Sequence, residues 1–344
     1  MKKDRIVFLD VAKGIAILLV VLGHCRYKPI ESFVCMFHMP VFLFVSGFFW
    51  NETDVLHPIS LALKRLKSLY IPYLKYEIVF FAMRPLFLFL GWYATNDVAF
   101  SFSFNFLFSE IIKIILGMGR EQLLGAFWFF ITMLFVIGLF WFASWVSYKI
   151  KGGREDIRAS IIVFIYLIGC IISTKVVIPR FGPALIGIIF YYSGFIFHKY
   201  NIEIKYSYIS IFCAFFSLII CSLFGSSALG KCTITDPPFT LCVGILGIYL
   251  VLSISKIIES SNRKLSKLIV LFGQNTVLIM AFHEIGFKIL TSILFVSPIN
   301  KTQIIDLNAI PVGNSSITFV IPYFLFSMLF CYIVILLKHL KENK

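Results

Sequence analysis

Apolar runs of about 20 residues recur along the whole of this chain, and that repetition limits what it can fold into. They cover approximately 6–26, 33–50, 70–91, 124–147, 159–174, 181–198, 207–226, 238–256, 272–296 and 315–338. A run of that length, wound as a helix, crosses the hydrocarbon core of a bilayer. Lipid offers a backbone N–H or C=O no partner outside its own segment, so helices are the default. The residue alternation of a membrane β-barrel is absent. Composition agrees: of 344 residues, 60% are hydrophobic and 14% charged, with a mean hydropathy of +0.94. A soluble domain carries roughly 25% charged residues. Soluble, disordered and coiled-coil classes are excluded on these grounds. The expectation is an all-α polytopic membrane protein with about ten transmembrane helices. A further apolar stretch, 100–118, is interrupted by Ser109, Glu110 and Lys113 and reads as an interfacial or re-entrant segment.

The formal net charge is +14. Such an excess would suit nucleic acid, but its placement argues otherwise. Most of the 31 Lys and Arg fall in alternate loops, among them Lys2, Lys3 and Arg5, then Lys64, Arg65 and Lys67, then Lys149, Lys151, Arg154 and Arg158. The positive-inside rule therefore puts both termini in the cytoplasm and assigns the charge to topology. Nucleic acid drops out as a partner, and the lipid bilayer remains. The first run is long and carries Asp10 and Lys13, unlike a cleavable signal sequence. No linker, charge block or repeat divides the chain, so 1–344 reads as a single domain. The eight cysteines form no CxxC and lie mostly in apolar runs, where packing is the plain reading. Cys25 and Cys35, both near the outer face, could pair, but packing is the favoured reading for them as well. No HExxH, P-loop or GxGxxG occurs, and no metal is expected.

An ionisable side chain inside hydrocarbon costs about 3 kcal/mol or more, so each one asks for a reason. The first run carries three: Asp10, Lys13 and His24. Helical spacing puts all three on one stripe, with Asp10 and Lys13 one turn apart and spaced to pair. Lys13 and His24 stand about 16 Å apart along the helix, too far to act on one bond. They read as two stations on one path. His38 opens the second run beside His24 if the hairpin is tight, and Pro40, Ser46 and Gly47 follow it. Lys64, Arg65 and Lys67 form a basic patch on the inner side, just before Ile71-Pro72-Tyr73. Trp128 falls at the outer end of the fourth run, and His283 with Glu284 lies mid-run. Each has a plainer reading: a snorkelling ion pair for Asp10 and Lys13, an interfacial or core histidine, topological charge, an aromatic-belt tryptophan. The joint arrangement weighs against those readings.

Four motifs in succession carry a resemblance: RIVFLDVAKGIAILLVVLGH (5–24), FHMPVFLFVSGFF (37–49), the basic patch with Ile71-Pro72-Tyr73, and GQNTVLIMAFH (273–283). They resemble the integral-membrane acyltransferase-3 family, and within it the branch of fucose 4-O-acetylase-like sugar acetyltransferases. The resemblance implies transfer of an acetyl group from cytoplasmic acetyl-CoA to a hydroxyl of a cell-envelope glycan or lipid-linked sugar, at a bacterial cytoplasmic membrane. Its first-span motif, a basic residue followed after ten by histidine, matches Lys13 and His24. Its inner-loop motif, usually Arg-x-x-Arg, matches Lys64 and Lys67. Lysine lacks the bidentate fork of arginine, which Arg65 beside it can supply. The implied roles are His24 as catalytic base, Asp10, Lys13, His38, Trp128 and His283 in support or along the path, and Lys64, Arg65 and Lys67 on the CoA phosphates. An acetyl-imidazole relay through His24 stays open, as do the acceptor sugar and a homodimer. The competing class is a secondary transporter or lipid-linked-sugar flippase, against which stands the lack of an inverted repeat or paired broken helices.

Overall fold

The structure, a computed structural model, describes residues 7–93, 100–119, 121–173, 178–225, 227–231, 237–261, 263–297 and 317–342. Lys2, Lys3, Arg5 and the side chain of Lys151, on which part of the topology argument rests, lie outside the described residues. The helices run in chain order as α1 (Val7–His24), α2 (Lys28–Cys35), α3 (His38–Phe48), α4 (Pro58–Arg65), α5 (Ile71–Phe89), α6 (Phe104–Ile115) and α7 (Trp128–Lys151). They continue as α8 (Glu155–Ser173), α9 (Phe181–Lys199), α10 (Tyr208–Phe224), α11 (Pro237–Ser261), α12 (Arg263–Gln274), α13 (Thr276–Val296) and α14 (Ile317–Glu342). Of the described residues 85% are helical and none is in a strand, as an all-α membrane protein should be.

Every one of the apolar runs is helical. Among the described residues, seven spans are long and apolar enough to cross a membrane: α1, α2 with α3, α7, α9, α11, α13 and α14. The other three runs differ in charge or length. α5 carries Lys75, Glu77 and Arg84, α8 opens on Glu155, Asp156 and Arg158, and α10 has 17 residues. The stretch 100–118 folds as α6, which at about 18 Å is too short to cross a bilayer.

Two prolines explain local departures from a continuous helix. The second run starts earlier than its hydropathy suggests, at Lys28, and breaks between α2 and α3. Pro40 is the cause: its ring excludes the carbonyl four residues back, Met36, and Phe37 leaves helical geometry with φ −141° and ψ −15°. Between α4 and α5, Leu66–Tyr70 forms a π-helical turn directly before Pro72. Pro72 cannot donate to Ser68, and the wider turn absorbs the lost bond. Lys67 lies in this turn, and Lys64 and Arg65 close α4 before it.

The chain divides into two compact, interleaved units. The first comprises Met1–Val20, Ser32–Leu69 and Phe129–Gln274, and the second comprises Val21–Glu31, Tyr70–Trp128 and Asn275–Lys344. In the first unit, α9 packs against α3 and α8, and α11 packs against α3, α10 and α12. The α3–α9 contact is a mutual backbone approach. A Cβ on Gly47 of α3 would stand 1.8 Å from the Tyr191 carbonyl oxygen, and one on Gly194 of α9 would stand 1.9 Å from that of Phe44. Helices without a hydrophobic effect between them gain from such van der Waals closeness. Charges read as topological are also paired here: Arg158 meets Glu52 at 3.0 Å, and Lys199 meets Glu155 at 2.5 Å. No disulfide joins Cys25 to Cys35. In the second unit, α13 packs on α14, and α5 on α6.

The close approach predicts a contrast between two glycines. Gly194→Val must separate α3 from α9 and should destabilise the protein by about 3 kcal/mol or more. Gly138→Ala in α7 meets nothing within 4 Å and should be neutral or stabilising by up to about 1 kcal/mol. Thermal unfolding of both variants in the same detergent, followed by size-exclusion fluorescence, checks this.

Candidate active site

α1 ends on His24, and the chain leaves it through Cys25 and Arg26. Arg26 takes a left-handed φ of 56°, a conformation that a non-glycine residue holds only under constraint from its surroundings. In the same unit, α13 carries the neighbours His283 and Glu284 through its middle. His24 Nδ1 lies 2.5 Å from Glu284 Oε1 across 260 residues of sequence. A carboxylate only accepts, so in the neutral imidazole the proton sits on Nδ1 and Nε2 keeps its lone pair. Glu284 is 3% exposed and His283 0%, whereas the His24 side chain keeps 29%. The dyad is thus buried on its carboxylate side and open on its imidazole side.

His283 completes the cluster. Its ring meets that of His24 edge to face with centroids 4.9 Å apart. Its Nδ1 donates to the Ile279 carbonyl one turn back at 2.9 Å, which turns Nε2 toward Glu284, 3.7 Å from Oε1. α14 fixes the helix that holds both residues. Ser327 donates to the His283 carbonyl at 2.8 Å, the Thr291 and Tyr323 hydroxyls bond at 2.8 Å, and Lys338 donates to Asn275 Oδ1 at 3.2 Å. Gly286 permits the approach, because a Cβ there would come 2.9 Å from Ser327 Cα. The segment before α7 passes the same imidazole: a Cβ on Gly125 would stand 3.7 Å from His24 Cε1. Trp128 opens α7 directly after this segment and belongs to the same unit.

The remaining residues singled out from the sequence fall in the first unit. Asp10 and Lys13 form the expected ion pair at 2.6 Å. α12 lies against them by a second mutual glycine contact, Gly14 to the Ile269 carbonyl and Gly273 to that of Asp10. His38 is buried, with Nδ1 donating to the Val34 carbonyl at 2.6 Å. Lys64 and Lys67 are exposed and Arg65 is half-buried. Lys64 reaches Asp54 only at 3.9 Å, and Arg65 Nε makes no hydrogen bond. Cationic donors left unspent in this way suit an anionic ligand such as a phosphate group.

Two features escaped sequence reasoning. Glu284 registers in the sequence only as the residue beside His283, and local spacing offers Lys288, one turn on, as its partner. The second is a buried network around Arg84, whose Nη2 meets Glu121 at 2.5 Å and Glu110 at 3.0 Å. Tyr93 donates to the other oxygen of Glu121 at 3.0 Å. Partial burial disfavours the Glu110 carboxylate, but hydrogen bonds from Lys113 and Arg84 outweigh it and hold its pKa below the ordinary value. The signal for this network is Arg84 itself, an arginine in an apolar run that must find buried acceptors. Its groups satisfy one another and brace α5, α6 and the segment before α7.

A helical membrane protein with a carboxylate-held histidine is an arrangement suited to proton transfer at a hydroxyl. The sequence model of the acyltransferase-3 family, described as an acyltransferase domain, matches residues 6–336. The chain belongs to that family, and the protein is a membrane acyltransferase. This decides the class against a transporter or flippase. Comparison with curated proteins and with solved structures gave no significant match.

Glu284→Gln keeps volume but replaces the acceptor that holds the Nδ1 proton. Acyl transfer should fall about 10²–10⁴-fold in kcat, with little change in KM for the donor. Steady-state kinetics on the purified variant check this, and a kcat within a factor of three of wild type would remove Glu284 from the mechanism.

Proposed function

We propose that the protein is an O-acetyltransferase of the bacterial cytoplasmic membrane. It takes acetyl from cytoplasmic acetyl-CoA and places it on a hydroxyl of a cell-envelope glycan or lipid-linked sugar. The observation that carries this reading is the His24–Glu284 contact, which leaves Nε2 of a partly exposed imidazole free to accept a proton. His24 Nε2 takes the proton of the acceptor hydroxyl as its oxygen attacks the thioester carbonyl. The C–S bond then breaks, and the departing thiolate recovers the proton from the imidazolium. Glu284 holds the ring and stabilises the imidazolium while it exists. An imidazole suits the task because its unperturbed pKa of about 6.5 lies near operating pH.

The donor's phosphates are too polar to enter lipid and stay with Lys64, Arg65 and Lys67, while the thin pantetheine arm carries the thioester inward. Lys13 and His24, about 16 Å apart on one helix, suit a path of that kind. The Asp10–Lys13 pair serves that path rather than the bond-making step. Exposed basic side chains with few partners favour this assignment of the donor end.

Labelled acetyl-CoA and membrane glycan, incubated with the purified protein, test the reading. Wild type should label the glycan, and His24→Ala, compared at equal amounts of folded protein, should retain less than about one hundredth of that activity. Retention of more than a tenth would make His24 structural. Replacing Lys64, Arg65 and Lys67 together by Gln should raise KM for acetyl-CoA far more than it lowers kcat, because contacts remote from the thioester bind ground and transition states alike. A loss confined to kcat at saturating donor would sink that assignment.

A further inference from the structure

Proton transfer as proposed uses one oxygen of Glu284 and both nitrogens of His24, and it leaves two buried acceptors idle. His283 spends its Nδ1 proton on the Ile279 carbonyl, so Nε2 carries a bare lone pair with no hydrogen-bond partner. Glu284 Oε2 has no partner either. Both residues are more than nine-tenths buried in an apolar helix. An unsatisfied buried acceptor costs about 1–3 kcal/mol, and more when it belongs to an ion. Lone pairs converging without donors call for a positive centre between them.

His24, His283 and Glu284 each offer one ligand atom, and these atoms all lie within 4.8 Å of one another. A tetrahedral ion with bonds of roughly 2.0–2.1 Å sets its ligand atoms about 3.3 Å apart. The 3.7 Å between His283 Nε2 and Glu284 Oε1 is already near that spacing. The 2.5 Å between His24 and Glu284 must open, which a turn of the half-exposed imidazole or use of the idle Oε2 allows. Two imidazoles and one carboxylate are a donor set for zinc-like ions, whereas magnesium and calcium take oxygen ligands almost throughout. No short motif announces such a site, because His24 lies in α1 and the other two residues are adjacent in α13.

We propose that His24, His283 and Glu284 bind one divalent transition-metal ion of the Zn2+ class, and that the bound ion inhibits transfer by withdrawing His24 from proton exchange. The site stands on geometry alone. Its inhibitory effect rests on the reading of His24 as the base.

The test uses the full chain in detergent, stripped of metal and freed of any histidine tag. Titration with Co2+ should raise the visible absorption of a four-coordinate complex, saturating at one equivalent, and Zn2+ should displace it. Glu284→Gln and His283→Ala should each weaken binding by more than about tenfold, since even outer residues around a metal cost 10–100-fold. His57→Ala and His198→Ala, which alter exposed imidazoles, should leave the titration unchanged. Glu284→Gln guards the comparison, because its volume and fold are kept even if His283→Ala misfolds. Absence of the band, or a band insensitive to both site variants, overturns the site. Zn2+ should also suppress acetyl transfer over the concentration range in which it displaces Co2+, and binding without that loss overturns the inhibitory role. Failure of acetyl transfer without added Zn2+ would strike the functional reading alone and leave the Co2+ titration as it was.

Discussion

A carboxylate in the middle of an apolar helix is the constraint on which the rest of this site depends. Glu284 lies in the body of α13 and is almost wholly buried. Its charge is tolerable only with a hydrogen-bonding partner at hand, since stripping one partner from a buried pair costs about 3–5 kcal/mol. His24 is that partner. The contact holds the end of α1 to α13 and fixes which nitrogen of His24 carries the proton. One interaction therefore sets both a packing relation and a tautomer.

The apparatus around that contact is built to keep α13 still. Ser327, Tyr323 and Lys338 of α14 bond to it along its length, and Gly286 lets the two helices close. The proposed role of His24 as a base benefits from such rigidity, because misplacement of about 1 Å is costly to catalysis. The same principle operates at α1, where Gly14 and Gly273 bring α12 onto the turn that carries Asp10 and Lys13. Close backbone contact, rather than side-chain volume, supplies the cohesion between helices whose outer surfaces are as apolar as lipid.

Much of the architecture was legible in advance. Runs of about 20 apolar residues can only be helices in lipid, and each run proved helical. His24 stood out because imidazole in such a run needs a cause, and the Asp10–Lys13 pair followed from one-turn spacing. The prolines were visible too, yet their effects were not. Pro40 broke the second run between α2 and α3, and Pro72 brought a π-turn into the basic segment. Hydropathy averages over such events, because it records how apolar a residue is and not whether its N–H exists.

The sequence by itself determined the class of fold, the helical runs, the basic patch at Lys64, Arg65 and Lys67, and the presence in an apolar run of a histidine, His24, that needs a cause. Those follow from composition and from spacing within one helix, both of which are local. Only the tertiary structure decided that Glu284 serves His24, that His283 turns a bare nitrogen toward the same carboxylate, and that Arg84 is neutralised by Glu110 and Glu121. The Glu284 and Arg84 pairings join residues from separate helices or loops, and the His283 nitrogen gains its meaning only once His24 arrives from α1. Helical periodicity says which face a side chain occupies and nothing about which distant helix that face will meet, so a buried charge announces its need for a partner without naming it.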